Sequence, residues 1–128
     1  MTSASLDQTI RDALDRGGVI DITTTGRKTG TSHRIEIVFH NVGGRLYVSG
    51  MPGFKRGYIA NLTANPSFTL HLKGAVRADL AATARVITDD AERREVLPDI
   101  ARIWKRHDLE TMIDSSPLFE VTVDGPAR

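Results

Sequence analysis

The chain has 128 residues, with 17 Lys plus Arg against 16 Asp plus Glu and a formal net charge of +1. That length allows one domain, residues 1–128, with a real hydrophobic core and no need of covalent staples. With no cysteine, no apolar run near the roughly 18 residues of a membrane span and no signal-peptide pattern at Met1–Leu6, disulfides and thiolate metal sites are excluded and a soluble cytoplasmic protein is expected.

Ser5-Leu6-Asp7-Gln8 reads as a capping box. Leu6, Ile10, Ala13 and Leu14 then share one helical face, which Gly17-Gly18 ends. Val19 to Thr25 is β-branched and predicts a strand. A polar loop follows, and Arg34 to Val42 alternates Ile35, Ile37 and Phe39 with Glu36 and His40. Gly43-Gly44 suits a tight hairpin that returns the chain as Arg45 to Ser49. Gly50 to Gly57 is a loop, and Tyr58 to Ala64 a short helix stopped by Asn65-Pro66.

Phe68, Leu70 and Leu72 alternate with Thr69, His71 and Lys73 in a half-buried strand, on whose polar side His71 is expected to be a solvated surface histidine. A long strand is expected from Ala75 to about Thr88. Asp89-Asp90-Ala91-Glu92 reads as a second capping box, and Val96, Leu97, Ile100, Ile103 and Trp104 mark the buried stripe of a helix that Pro98 should kink or split. A short helix, Asp108 to Ile113, and a strand, Leu118 to Val123, close the chain. Six strands joined by short connections predict a mainly β fold: a small antiparallel β-barrel with peripheral helices, closed to remove its edges.

The near-zero net charge hides a lopsided distribution. Residues 22–78 hold eight bases against the single acid Glu36, a net of +7, while residues 1–21 carry −2 and residues 79–128 carry −4. Such a segment concentrates anions. Its first half contains Thr25-Gly26-Arg27-Lys28-Thr29-Gly30-Thr31-Ser32-His33-Arg34, with no acidic or apolar residue. Glycines such as Gly26 and Gly30 let backbone N–H groups converge on an anion. Thr29, Thr31 and Ser32 add hydroxyls, and Arg27, Lys28 and Arg34 add charge suited to phosphate. The spacing is not that of a Walker loop.

A second segment, Ser49 to Tyr58, brings Lys55 and Arg56 to a helix N-terminus, again suited to an anion, with Met51, Phe54 and Tyr58 available to wall a planar ring. The four histidines show no HxH or HxxxH spacing, so no metal site is expected.

Thr25-Gly26-Arg27-Lys28-Thr29-Gly30, followed by a hairpin, a Gly/Pro loop and Tyr58-Ile59-Ala60-Asn61-Leu62-Thr63-Ala64-Asn65-Pro66, resembles the deazaflavin (F420)-dependent nitroreductase family over most of residues 19–88. The resemblance implies a split β-barrel of the FMN-binding kind and the cofactor F420, with FMN as the alternative. It implies that Arg27, Lys28, Thr29 and Arg34 hold the cofactor's phosphate, and that Ser49, Met51, Tyr58 and Asn61 approach its ring. Gly57 stands where members commonly have tryptophan, and Glu36 where proline is frequent. The +7 segment suits F420, which carries a phosphodiester and an oligoglutamate tail.

The expected cofactor-binding set is therefore Arg27, Lys28, Thr29, Gly30, Ser32, Arg34, Ser49, Met51, Lys55, Arg56, Tyr58 and Asn61, with Tyr58 and Ser49 the candidate proton donors. The implied activity is hydride transfer from reduced deazaflavin to a small electron-poor acceptor (a quinone, nitroaromatic or enone) by a monomer or homodimer. A carrier that binds F420, FMN or another anionic small molecule without turnover is the rival. Nucleic-acid binding ranks below both, because aromatics make up only 5% of the chain and no basic–aromatic stripe occurs.

Overall fold

The structure is a computed structural model that describes residues 8–26, 28–50 and 57–127. These form α1 (Gln8–Arg16), β1 (Gly18–Thr25), β2 (Ser32–Val42), β3 (Arg45–Ser49), α2 (Gly57–Ala64), β4 (Ser67–Lys73), β5 (Arg77–Val86), α3 (Asp90–Ile103), α4 (Leu109–Ser115) and β6 (Leu118–Pro126). The strands pair antiparallel in the order β1-β2-β3-β6-β5-β4, and β4 returns to β1 to close a barrel. The expected architecture is the observed one. The Ser5–Gln8 capping box lies outside the described residues.

Closure follows from the period-two pattern. In β1, Ile20, Ile22 and Thr24 are buried. Ile20 pairs with Ile37 on one side and Leu72 on the other, and Ile22 with Ile35 and Leu70, so apolar rows run across three strands on one face. Phe39, Val48, Leu80 and Phe119 fill the remaining interior, with Phe68 set edge-on to Phe119 at a centroid distance of 6.0 Å. At the β2–β3 turn Gly43 and Gly44 adopt φ of 63° and 90°, values that favour glycine, and Asn41 Oδ1 accepts the Gly44 N–H at 2.9 Å.

A second core lies under α3 and α4, built on Tyr47, Ile87, Val96, Leu97, Ile100 and Met112. Asp89 caps α3 by accepting the Glu92 N–H at 3.0 Å. Only half of the expected capping box forms, since the Glu92 carboxylate is drawn to Arg85 at 2.9 and 2.5 Å. Pro98 does not split the helix, which runs unbroken through it. A mid-helix proline costs about 3 kcal/mol, whereas Val96, Leu97 and Ile100 are buried and each contributes about 1.5–3 kcal/mol. Of the expected buried stripe, Ile103 is 56% exposed, while Trp104 packs partly buried against this core. β5 is also shorter than expected, beginning at Arg77 after a bend at residues 74–76.

The histidines are where the sequence misleads. His71 is not a solvated surface residue but 8% exposed. Its Nδ1 lies 2.7 Å from Asp79 Oδ1 and its Nε2 2.7 Å from Thr23 Oγ1. The tautomer that satisfies all three groups donates from Nδ1 to the carboxylate and accepts the threonine hydroxyl at Nε2. Neighbouring strands cover the polar face here, so alternation alone does not decide burial.

His40 is buried against Trp104, ring centroids 5.5 Å apart, and its Nε2 has no hydrogen-bond partner among the described residues. Burial pushes its pKa below 6.5. The unfolded chain therefore takes up a proton before the native one does. The corresponding stability is complete above pH 6.5 and is lost as pH falls below it toward the depressed native value. In urea melts, the midpoint should drop as pH falls below about 6.5, and His40→Leu should remove part of that slope. An identical slope in the variant would contradict the assignment.

Candidate functional site

The polar loop closes on itself. The Gly26 N–H donates to Thr31 O at 2.8 Å, and the Gly30 N–H to Gly26 O at 3.0 Å. The Thr29 hydroxyl accepts the Thr31 N–H at 3.2 Å and donates to Thr31 Oγ1 at 2.9 Å. Gly30 has φ of 70°, which permits the tight return. A Cβ on Gly26 would lie 3.1 Å from His33 Nε2, 3.2 Å from Thr31 O and 3.3 Å from Thr29 Oγ1. Glycine is therefore needed for close approach rather than for an unusual dihedral.

This turn forms one rim of a cleft of about 510 Å³. Lys28, Thr29 and His33 line the rim, Thr24 and Ile35 the barrel side, and Gly57, Tyr58 and Asn61 of α2 the opposite wall. Asn61 Nδ2 donates to Thr24 Oγ1 at 3.3 Å, which docks the helix on β1. Tyr58 is set edge-on to Phe119 at 6.2 Å. The first turn of α2, with N–H groups that have no intrahelical acceptor, borders the cleft. The cleft thus joins a cation, ring and backbone donors at a helix start, and an aromatic wall: a cradle for a molecule with an anionic end and a flat body.

Of the expected residues, Lys28, Thr29, Tyr58 and Asn61 meet here. Gly30 shapes the turn without lining the cleft. Arg27, Met51, Lys55 and Arg56 lie outside the described residues. Ser32 and Arg34 alternate with His33 and Ile35 along β2, which turns them to the other face. There the Arg34 Nε donates to Asp21 Oδ2 at 3.0 Å. Lys73 Nζ donates to Asp21 Oδ1 at 2.7 Å and also pairs with Glu36. Lys73 and Arg34 together hold the Asp21 carboxyl below the usual range, and Asp21 and Glu36 push the Lys73 ammonium up. Ser49 is buried at the end of β3, with its hydroxyl donating to Pro117 O at 2.7 Å.

His33 was missed by residue chemistry, which valued the arginine beside it. The period-two phase with Ile35, Ile37 and Phe39 was the signal that it shares their face. Lys28 has no ion-pair partner among the described residues, so its charge remains available to a ligand.

The closed six-stranded antiparallel barrel, with a cleft between one hairpin and a short helix, is of the split-barrel fold. The chain is similar to a candidate pyridoxamine 5'-phosphate oxidase from Listeria innocua at 14% identity and TM-score 0.64, covering 91% of both chains. It is similar to an FAD-binding protein from Mesorhizobium loti at 17% identity and TM-score 0.60, covering 92% of this chain and 90% of that one. It is also similar to the haem-storage protein HutZ of Vibrio cholerae at 15% identity and TM-score 0.66, covering 100% of this chain and 92% of that one. These likenesses establish the fold. Residues 3–124 match the model of the F420H(2)-dependent quinone reductase family, and the chain belongs to that family.

Gly26→Ala should lower stability by about 1–3 kcal/mol through overpacking against the Thr31 carbonyl and the His33 ring, read by urea denaturation. A loss below about 0.5 kcal/mol would mean that the turn yields freely.

Proposed function

We propose that this protein is an F420-dependent oxidoreductase that passes hydride from the reduced deazaflavin to a small electron-poor acceptor such as a quinone, a nitroaromatic or an enone. The observation that carries this reading, beside the family membership, is the cleft in which Lys28, without an ion-pair partner among the described residues, faces the first turn of α2 and the ring of Tyr58. Its donor set fits the proposed cofactor: a cationic rim for phosphate and an aromatic wall for a flat ring. F420 bound there supplies the hydride, which is chemistry no side chain can provide.

The chain's own contribution is positioning. Lys28 and His33 hold the anionic end, the closed Gly26–Thr31 turn keeps both in place, and the Asn61–Thr24 contact fixes the wall opposite. Arg27, Lys55 and Arg56 belong to the same proposal as further counter-charge for a phosphodiester and glutamate tail, as does Met51 beside the ring. Ile35 and Tyr58 exclude water. Ser49 acts through structure, since its proton is committed to Pro117 O, and Tyr58, whose ring lines the cleft, is the phenol proposed to protonate a reduced acceptor.

Gly57 supports a second reading. Among the described residues a Cβ there would meet nothing within 4 Å, so a larger side chain would fit where glycine stands, and a carrier that binds without turnover would tolerate its lack.

Fluorescence titration with F420 and with FMN, followed by oxidation of reduced F420 with menadione, separates these readings. F420 should bind more tightly than FMN and be turned over. Lys28→Ala should cost about 1.5–3 kcal/mol of F420 affinity, whereas Arg34→Gln should change it little. Binding of neither cofactor would end the redox reading, and tight binding without turnover would favour the carrier.

A further inference from the structure

The outer face of the barrel carries a side-chain cluster that the cofactor cleft does not use. On β1, Val19, Asp21 and Thr23 alternate with the buried Ile20, Ile22 and Thr24, so Thr23 points outward. Pairing sets its neighbours across the sheet: Arg34 of β2 on one side and Thr69 of β4 on the other. One row further along, Glu36, Asp21, His71 and Asp79 lie side by side on β2, β1, β4 and β5. His71 is thus a diagonal neighbour of Thr23, within reach of its side chain.

The hydrogen bonds across this face run in one direction. The Thr23 hydroxyl donates to His71 Nε2 at 2.7 Å, and His71 Nδ1 donates to Asp79 Oδ1 at 2.7 Å, in the tautomer that satisfies all three groups. A hydroxyl, a base and an orienting carboxylate therefore stand in the order of a Ser-His-Asp centre. Position is fixed as well as order. Threonine is β-branched and stiff at χ1, and Thr23 sits on a strand paired on both sides.

The charges nearby favour proton transfer along this line. An imidazolium at His71 would lie between Asp79, to which it is bonded, and Asp21, directly opposite on β1. Lys73 and Arg34 hold the Asp21 carboxyl in its ionised form, and Glu36 pairs with Lys73. Arg34 donates to Asp21 through Nε, and its exposed guanidinium stands across from Thr23. Its remaining N–H groups suit an oxyanion formed at that hydroxyl. Arg34 and Asp79 are exposed and Thr23 is half-buried, so a small acyl group can approach from solvent.

We propose that Thr23 is a nucleophile that accepts an acyl group from a small activated ester, with His71 as its base and Asp79 as the positioning carboxylate. The bond from Thr23 Oγ to the carbonyl carbon forms as the bond to the leaving oxygen breaks. The hydroxyl proton passes to His71 Nε2, and the leaving group departs as its anion. The product is an acyl-threonine ester. None of the three residues lines the cofactor cleft, so the proposal stands apart from the redox reading.

The test incubates the full chain with p-nitrophenyl acetate. Release of p-nitrophenolate gives the rate, and peptide mapping by mass spectrometry locates the acetyl groups. Hydroxylamine cleaves a threonine ester but leaves acetyl-lysine amides intact. Wild type should carry a hydroxylamine-labile acetyl group on Thr23, which Thr23→Ser should keep at residue 23 and Thr23→Val should lose. Asp79→Asn, at an exposed position, should slow this acetylation at least about tenfold, and His71→Gln at least as much, since general-base assistance contributes roughly 10²–10⁴-fold. Circular dichroism checks that each variant is folded; His71 is buried, so Asp79→Asn decides the matter if His71→Gln does not fold. Folded wild type without an ester on Thr23 would overturn the proposal. An unchanged rate in Asp79→Asn would do the same, leaving the three side chains as a structural lock between β1, β4 and β5.

Discussion

β1 carries two hydrogen-bonded ladders at once, to β2 on one side and β4 on the other, and the rest of the structure depends on that double pairing. A strand paired on both sides cannot slip by one residue without turning Ile20 and Ile22 out of the core and Asp21 into it. The register that buries these isoleucines also sets Thr24 at the barrel mouth, where Asn61 of α2 reaches it. It aims the following turn, and with it Lys28 and His33, at the same helix. The cleft between that turn and α2 is thus the continuation of a core constraint.

Charge follows the same logic. The strongly basic middle of the chain is one feature in sequence but two in space. On the outer face of the β4–β1–β2 sheet, Arg34 and Lys73 are tied to Asp21 and Glu36. Exposed pairs of this kind contribute at most about 1 kcal/mol each to stability. Their larger consequence is to remove cations from the pool available to a ligand. On the cleft side Lys28 has no ion-pair partner among the described residues.

Arg93 plays the equivalent part for the helical side. By donating to carbonyls at the exit of β5, the end of α4 and the entry to β6, it ties together the segments that border a second cleft. Hydrogen bonds from a buried charged group are worth about 1.5–3 kcal/mol each. One side chain therefore sets the spacing of the walls, while the Ser116 hydroxyl has no hydrogen-bond partner among the described residues. The short helix α2 separates the Lys28 cleft from this second cleft, lined by Ile59, Val86, Arg93 and Ser116, and Ala60 borders both.

The amino-acid sequence by itself determined the elements, the hairpin glycines, the barrel and the basic, polar composition of the turn after β1, because each is written in local periodicity or in the chemistry of adjacent residues. The paired motifs around Gly26 and Asn61 carried the family as well. Tertiary structure decided which described members of the basic segment line the cleft. Arg34 and His33 are neighbours in sequence, yet pleating sends them to opposite faces, and only the partners across the sheet, Asp21 for one and the cleft for the other, separate their roles. Tertiary structure also buried His71, which is held between Thr23 of β1 and Asp79 of β5, and it carried α3 through Pro98 by packing stronger than the local penalty. The orphan hydroxyl of Ser116 and the carbonyl cage of Arg93 were beyond any local pattern. Their donors and acceptors lie up to 23 residues apart, and only the folded chain brings them together.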